Sequence, residues 1–281
     1  MLKAMANIAT SNRATECFGF TARAMESLMA SQGFWNDLKI MFAVGQAADG
    51  YVGGIAQMIR MAISGRRFTR TAQFFAHCVV EANNPKELRG NLQTIRQAVR
   101  DLGNYCPNTM PTVMRAAPFS PYPVVGQNGT RMLPFHAILP FSAVLDFHND
   151  LEKLYNRHSK EMTDLEMTMP AMFNTISTNG FLYEPVLYWP DKPELFHELN
   201  TTEELLEPMR KSKDNKEARS LATKLFREIV SLMHNHGGVH LQIGKAYPYL
   251  QDRSEHGVEL IRSVKTKMDP ENLINPGALG L

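Results

Sequence analysis

Apolar and polar positions are most regularly patterned from residue 72 onward, and there they predict a succession of strands and helices. QFFAHCVVE, residues 73–81, is apolar almost without interruption and rich in β-formers, the pattern of a strand buried on both faces. Asn84 then suits a helix N-cap, Pro85 the first helical position and Glu87 the first turn. Leu88, Leu92, Ile95, Val99 and Leu102 recur at helical spacing until Gly103 stops the run. RMLPFHAILPF, residues 131–141, predicts a strand interrupted at its ends by prolines. It leads into a helix capped by Ser142, with Val144, Phe147, Leu151 and Leu154 as the buried stripe. LEMTMPAMFNTIS and FLYEPVLYWP, joined through the turn signal TNG, predict a hairpin. EELLEPM predicts a short helix. A longer one from about Lys216 carries Leu221, Leu225, Ile229 and Leu232 inward and ends at HGG. VHLQIG, residues 239–244, reads as a short strand and EHGVELIRSVKTKM, residues 255–268, as a last helix.

The first 70 residues are patterned less clearly. LKAMANIAT and TARAMESLM read as helices, LKIMFAVG as a strand, and GYVGGIAQMIRMAISG as a helix. Residues 106–130, CPNTMPTVMRAAPFSPYPVVGQNGT, are rich in proline and aromatics and read as an ordered binding loop. The closing stretch DPENLINPGALGL reads as an ordered double turn, since Pro270 and Pro276 end helical structure and Gly277 permits a left-handed backbone. Hairpin pairing in the middle of the chain excludes an all-parallel, doubly wound sheet. The element order predicts an α+β fold: an antiparallel sheet with helices packed on one face, the other face left to cover a ligand.

Composition narrows the function classes. A net charge of +2 over 281 residues gives no nucleic-acid or acidic-membrane surface, and no apolar run is long enough to span a bilayer. Three cysteines without a zinc-type spacing, and no signal-like N-terminus, predict reduced thiols and a cytoplasmic location. No GxGxxG, GxxxxGK[ST] or GxSxG occurs, so no recognisable cradle for a dinucleotide pyrophosphate is present.

The remaining chemistry lies in a few polar residues within apolar runs. HNHGGVH brings His234, His236 and His240 close in sequence, but capping and solvation account for them better than a metal does. His240 and Gln242 alternate after a tight glycine turn and so share one face of the predicted strand. Glu184 lies inside FLYEPVLYW next to Tyr183. Such a carboxylate is either paired on an open face or held in a pocket, where its raised pKa suits a general base. His136 in LPFHAILP is either a satisfied core histidine or a site residue. Arg115 and Arg131 flank the long loop, and arginine's fork suits a carboxylate.

The ending VELIRSVKTKMDPENLINPGALGL resembles the C-terminus of FAD-linked oxidases of the vanillyl-alcohol oxidase and p-cresol methylhydroxylase superfamily. The likeness continues upstream through GGVHLQIG, YEPVLYWPD, GTRMLPFHAILPFS, MRAAPFSPY and FFAHCVVEANNPKEL, and covers roughly residues 70–281. It implies that residues 1–235 are a ferredoxin-like substrate-binding cap. Residues 236–281 would be the segment that returns to an FAD-binding domain, itself absent from this chain. Glu184 matches an active-site glutamate of the phenol-oxidising members. His240 and Leu241 fall where those members carry a tyrosine–arginine pair, and Thr130 falls near their flavin-linking tyrosine. The resemblance therefore favours a 2-hydroxy acid such as D-lactate over a 4-alkylphenol or a vanillyl-alcohol type substrate. A non-catalytic fragment or ligand-binding module stands as the alternative from another class.

In this reading Glu184 and His240 are catalytic. Arg115, Arg131, His136, Tyr183 and Gln242 contact the substrate, and Asn275 and Gly277 lie toward the cofactor, with no metal. FAD is expected in the complete enzyme and not as a tight ligand of this chain alone. The implied partners are an FAD-binding domain or subunit and a small-molecule substrate. A second copy of the chain, and a cytochrome or quinone electron acceptor, are further candidates.

Overall fold

The computed structural model describes residues 1–24, 72–106, 125–126, 129–242, 244–251 and 253–281. In chain order these form α1 (Leu2–Thr10), β1 (Glu16–Thr21), β2 (Phe74–Val79), α2 (Pro85–Ala98), β3 (Arg131–Pro134) and β4 (Ala137–Pro140). There follow α3 (Val144–Asp164), β5 (Ala171–Ile176), β6 (Gly180–Trp189), α4 (Leu195–Asn200), α5 (Glu203–Arg210), α6 (Lys216–Asn235) and α7 (Glu255–Met268). Most of the elements predicted at residues 21–65, and most of the 106–130 loop, lie outside the described residues.

The six strands make one antiparallel sheet in the order β2-β1-β5-β6-β3, with β4 also paired to β6. The predicted hairpin is present: Ile176 pairs with Gly180 at the TNG turn, and Ala171 with Pro185 at the far end. Strand alternation then sorts the side chains. Phe173, Phe181, Tyr183, Leu187 and Trp189 point to one face and join a single core with residues of α1, α2, α3 and α6. All four helices thus cover the same face, as the α+β reading requires. The predicted stripes hold: Val144, Phe147, Leu151 and Leu154 of α3, and Leu221, Leu225 and Ile229 of α6, are buried. Met233, not Leu232, completes the second stripe. Gly19 lets α1 lie close on the sheet, because a Cβ there would come within 2.8 Å of Phe75 O and 2.9 Å of Met5 Sδ.

On the other face Phe20, Ala24 and Phe75 form a small second cluster, joined by Phe18 and Met172. Leu182, Glu184 and Val186 of β6 share that face by alternation.

Several boundaries differ from the sequence reading. Among the described strands β2 lies at the edge, with alternate residues half-buried, not buried on both faces. Asn84 caps α2 as expected, its Oδ1 accepting from Lys86 N–H at 3.1 Å and Glu87 N–H at 2.9 Å. The α2 helix stops at Ala98, though, so Val99 and Leu102 lie beyond its end. Ala143 rather than Ser142 occupies the N-cap of α3, without a side-chain hydrogen bond. Residues 131–141 form two short strands, β3 and β4, separated at Phe135 and His136. Among the described residues of VHLQIG only Val239 pairs, as an isolated bridge to Ile138. The α4 helix, held by a reciprocal Glu194–His197 cap, went unread in the sequence.

The C-terminal segment is organised around Asp269. Its Oδ1 accepts the Leu273 N–H at 2.8 Å, its Oδ2 accepts the Ile274 N–H at 3.0 Å, and Lys265 pairs with it from one turn earlier. Asn275 and Gly277 have φ of 46° and 80°, and Leu279 N–H donates to Gly244 O at 2.7 Å. The DPEN and NPG turns are therefore ordered and fastened to the 244 loop. The α7 helix before them buries no residue and leaves Leu260, Val264 and Met268 exposed on successive turns, next to exposed Leu273 and Ile274.

Candidate functional site

The break between β3 and β4 builds the site. Both strands share one register on β6, with Pro134 opposite Val186 and Ala137 opposite Tyr183, so His136 falls level with Glu184. Phe135 N–H donates to Pro185 O at 3.2 Å. Hydrogen-bonded and non-hydrogen-bonded pairs alternate along an antiparallel ladder, so the backbone N–H and C=O of His136 point away from β6. Buried groups of that kind need partners.

The partners come from the segment after α6. Tyr247 Oη accepts the His136 N–H at 3.1 Å, and His240 Nδ1 donates to His136 O at 2.8 Å. Two side chains thus replace the rungs a continuing strand would supply, which is why the bridge ends at Val239. Gly238 permits this approach, since a Cβ there would meet Met233 O at 2.6 Å and Ala137 Cβ at 3.0 Å.

The Nδ1 bond also fixes a tautomer. A carbonyl only accepts, so the proton sits on His240 Nδ1 and Nε2 carries the lone pair when the ring is neutral. Burial lowers the pKa of His240, against the opposing bond to His136 O and with help from His234, and so keeps the ring neutral near pH 7. His136 is lowered too, by burial first and then by His240. Among the described residues neither His136 Nε2 nor His240 Nε2 has a hydrogen-bond partner, and both atoms are buried.

Tyr247 ties the group together. Its ring stacks on His240 at 4.2 Å between centroids and 18° between planes, and lies 5.6 Å from the His136 ring. Burial raises its pKa most, its bond to His136 N–H works the other way, and the charge of Glu184 raises it further. Glu184 is itself raised by burial. Among the described residues no hydrogen bond or ion pair engages its half-buried carboxylate.

The other expected site residues separate from this cluster. Tyr183 lies on the helix-covered face, 2% exposed, with His148 Nδ1 at 2.8 Å from its hydroxyl. Strand alternation puts it opposite to Glu184, so the two cannot line one pocket. Arg131 is buried and committed. Its Nη2 donates to Lys192 O at 2.9 Å, its Nε lies 3.2 Å from Asp191 Oδ2, and its Nη2 is 3.0 Å from Glu194. Asp191, with no exposure, also takes Arg219 at 2.8 Å, so this network fastens the end of β6 to the start of α6. Gln242 is exposed beside His240, and Asn275 and Gly277 are exposed in the tail turns. Arg115 lies outside the described residues. Sequence reading missed Tyr247, which sits in KAYPYL with no periodic pattern to mark it. No group of three or more metal-ligating side chains is found among the described residues.

Residues 209–279 match the family model for FAD linked oxidases, C-terminal domain. That range contains α6, the segment bearing His240 and Tyr247, α7 and nearly all of the tail. No curated protein sequence matches the chain. Among solved structures, an alkyldihydroxyacetonephosphate synthase aligns with a TM-score of 0.48 at 11% identity, covering 97% of this chain and 41% of its own. A 4-ethylphenol oxidase from Gulosibacter chungangensis, in complex with isoeugenol, aligns with a TM-score of 0.44 at 11% identity, covering 99% of this chain and 51% of its own. The chain spans 41–51% of the length of these structures. No helix among the described residues is long and apolar enough to cross a membrane. Over residues 209–279, then, the chain is similar to the C-terminal domain of FAD-linked oxidases.

Proposed function

We propose that the chain forms the substrate side of an FAD-dependent oxidoreductase acting on an alcohol-type substrate, with a 2-hydroxy acid such as D-lactate as the favoured class. In this reading residues 1–235 are the cap, and residues 236–281 pack on an FAD-binding domain. One observation carries it: two buried imidazole Nε2 atoms, on His136 and His240, have no hydrogen-bond partner among the described residues and lie in a cluster whose tyrosine feels the Glu184 carboxylate. Unsatisfied buried polar atoms are rare in folded proteins and mark places where a polar ligand belongs. A substrate hydroxyl fits both nitrogens.

These residues fit the reacting end of a flavin site; nothing described here resembles a cradle for the pyrophosphate. FAD, when bound, supplies the acceptor for the substrate's hydride. His240 Nε2 takes the hydroxyl proton, and its Nδ1–H bond to His136 O stabilises the imidazolium that results. His136 Nε2 orients the same hydroxyl by a second hydrogen bond. Burial raises the Glu184 carboxyl above its ordinary value, and as a carboxylate it balances the positive charge that arises on His240. With Arg131 neutralised by Asp191 and Glu194, the carboxylate clamp of a 2-hydroxy acid falls to Arg115. The exposed apolar row Leu260, Val264, Met268 on α7, with Leu273 and Ile274, supports the packing of this segment on a second domain.

The test uses the native protein that carries this chain, isolated from its own cells. It should contain FAD, and a 2-hydroxy acid should bleach its flavin absorbance under anaerobic conditions. Isolation without flavin overturns the oxidoreductase reading. Bleaching by 4-alkylphenols alone overturns the substrate class.

A further inference from the structure

Cys17 on β1 and Cys78 on β2 are direct cross-strand partners. Ala22 N–H donates to Gln73 O at 2.8 Å in the same register, so by alternation Cys17 and Cys78 form a non-hydrogen-bonded pair. Such pairs hold their Cα atoms about 4.5 Å apart with the side chains turned toward each other. That separation lies inside the range of about 4.4–6.8 Å that a disulfide accepts. Both side chains face the helix-covered core: Cys17 is 1% exposed, and Cys78 is half-buried against the same cluster. Both are free thiols. Among the described residues the β2 strand has β1 as its one strand partner.

We propose that Cys17 and Cys78 are a redox-modification site, oxidised by a hydroperoxide to a disulfide that staples edge strand β2 to β1. Cys78, the more exposed, reacts first. Its sulfur attacks one peroxide oxygen, the O–O bond breaks, and Cys78 sulfenic acid and one water form. Cys17 Sγ then attacks Cys78 Sγ, the S–S bond forms, and the hydroxyl leaves with the Cys17 proton as a second water. The two thiols lose two electrons and two protons, and hydrogen peroxide is reduced to two waters.

Burial sets the selectivity. It pushes the Cys17 thiol up to about 12, with neighbouring Cys78 adding to the rise, and it raises Cys78 as well. Little thiolate exists near pH 7, so the pair reacts slowly and only with an oxidant small enough to reach β2. A bulky disulfide such as oxidised glutathione cannot reach Cys17. This chemistry does not depend on the flavin reading.

The experiment treats the folded Cys106→Ser chain with hydrogen peroxide, then alkylates it in denaturant and maps peptides without reductant. The expected result is joint loss of both free thiols, a mass lower by two hydrogens and a Cys17–Cys78 linked peptide that dithiothreitol releases. The oxidised form should also melt at a higher temperature than the reduced one. In a Cys78→Ser variant Cys17 should stay alkylatable at the same peroxide dose. Cys78 advancing to sulfinic acid while Cys17 stays free, or oxidation of Cys17 without Cys78, overturns the proposal.

Discussion

Replacing Tyr247 with phenylalanine removes one oxygen from the cluster and leaves its ring in place. That oxygen accepts the backbone N–H of His136, a buried residue whose N–H points away from β6. Loss of an acceptor leaves a buried donor unpaired, which costs about 1–3 kcal/mol, more than the net worth of an ordinary hydrogen bond. The stack on His240 at 4.2 Å and the contact with Phe226 at 6.0 Å remain, so packing loss adds little. Tyr247→Ala removes the ring too and should cost about 3–5 kcal/mol, the range for deleting a large buried aromatic side chain. Urea denaturation gives both values, and amide exchange localises them. In Tyr247→Phe the His136 amide should lose protection more than any other amide of β3 or β4. A Tyr247→Phe variant within 0.5 kcal/mol of the wild type, with His136 still protected, would refute the view that this hydroxyl completes the interrupted strand.

Three further outcomes follow from other parts of the molecule. Asp269→Ala should speed amide exchange at Leu273 and Ile274 and leave α6 unchanged, since that carboxylate holds both N–H groups; unchanged exchange would remove its role in the tail. Burial lowers His77 from 6.5 to about 4, so the fold gains a penalty for protonating it. Its contribution is complete above pH 6.5 and is lost as pH falls toward about 4, a loss on the order of 3 kcal/mol. His77→Leu should flatten the stability profile by that amount across this window, as read from urea midpoints at each pH. The isolated chain mixed with FAD should leave flavin fluorescence and the visible spectrum unchanged, and stoichiometric binding would contradict the absence of a pyrophosphate cradle.

Elements fixed by local chemistry were legible in the sequence. Asn84 and Pro85 mark the start of α2, TNG marks the β5–β6 turn, and the α3 and α6 stripes name their own buried residues. Elements fixed by distant partners were not. The VHLQIG segment has strand composition, but its would-be partner at His136 is already bonded to side chains from residues 240 and 247. The stripe on α7 is regular, yet periodicity says nothing about what covers it, and here it faces outward. Among the site residues, Glu184, His136 and His240 stood out as polar groups in apolar runs, and the fold brings them together. Tyr183 also stood out, but period-two alternation already forbids it the same face as Glu184. Arg131 was read as a free clamp because a sequence does not show that Asp191 and Glu194 lie beside it.

The most direct measurement is the rate of flavin reduction by substrate in the native protein, followed by anaerobic stopped flow, with His240 replaced by glutamine. His240 Nε2 as the proton acceptor requires a slowing of about 10²–10⁴-fold, with the flavin still bound and the melting temperature nearly unchanged. Reduction at the wild-type rate in that variant would contradict the assignment of proton transfer to His240 and, with it, the site built around the β3–β4 break.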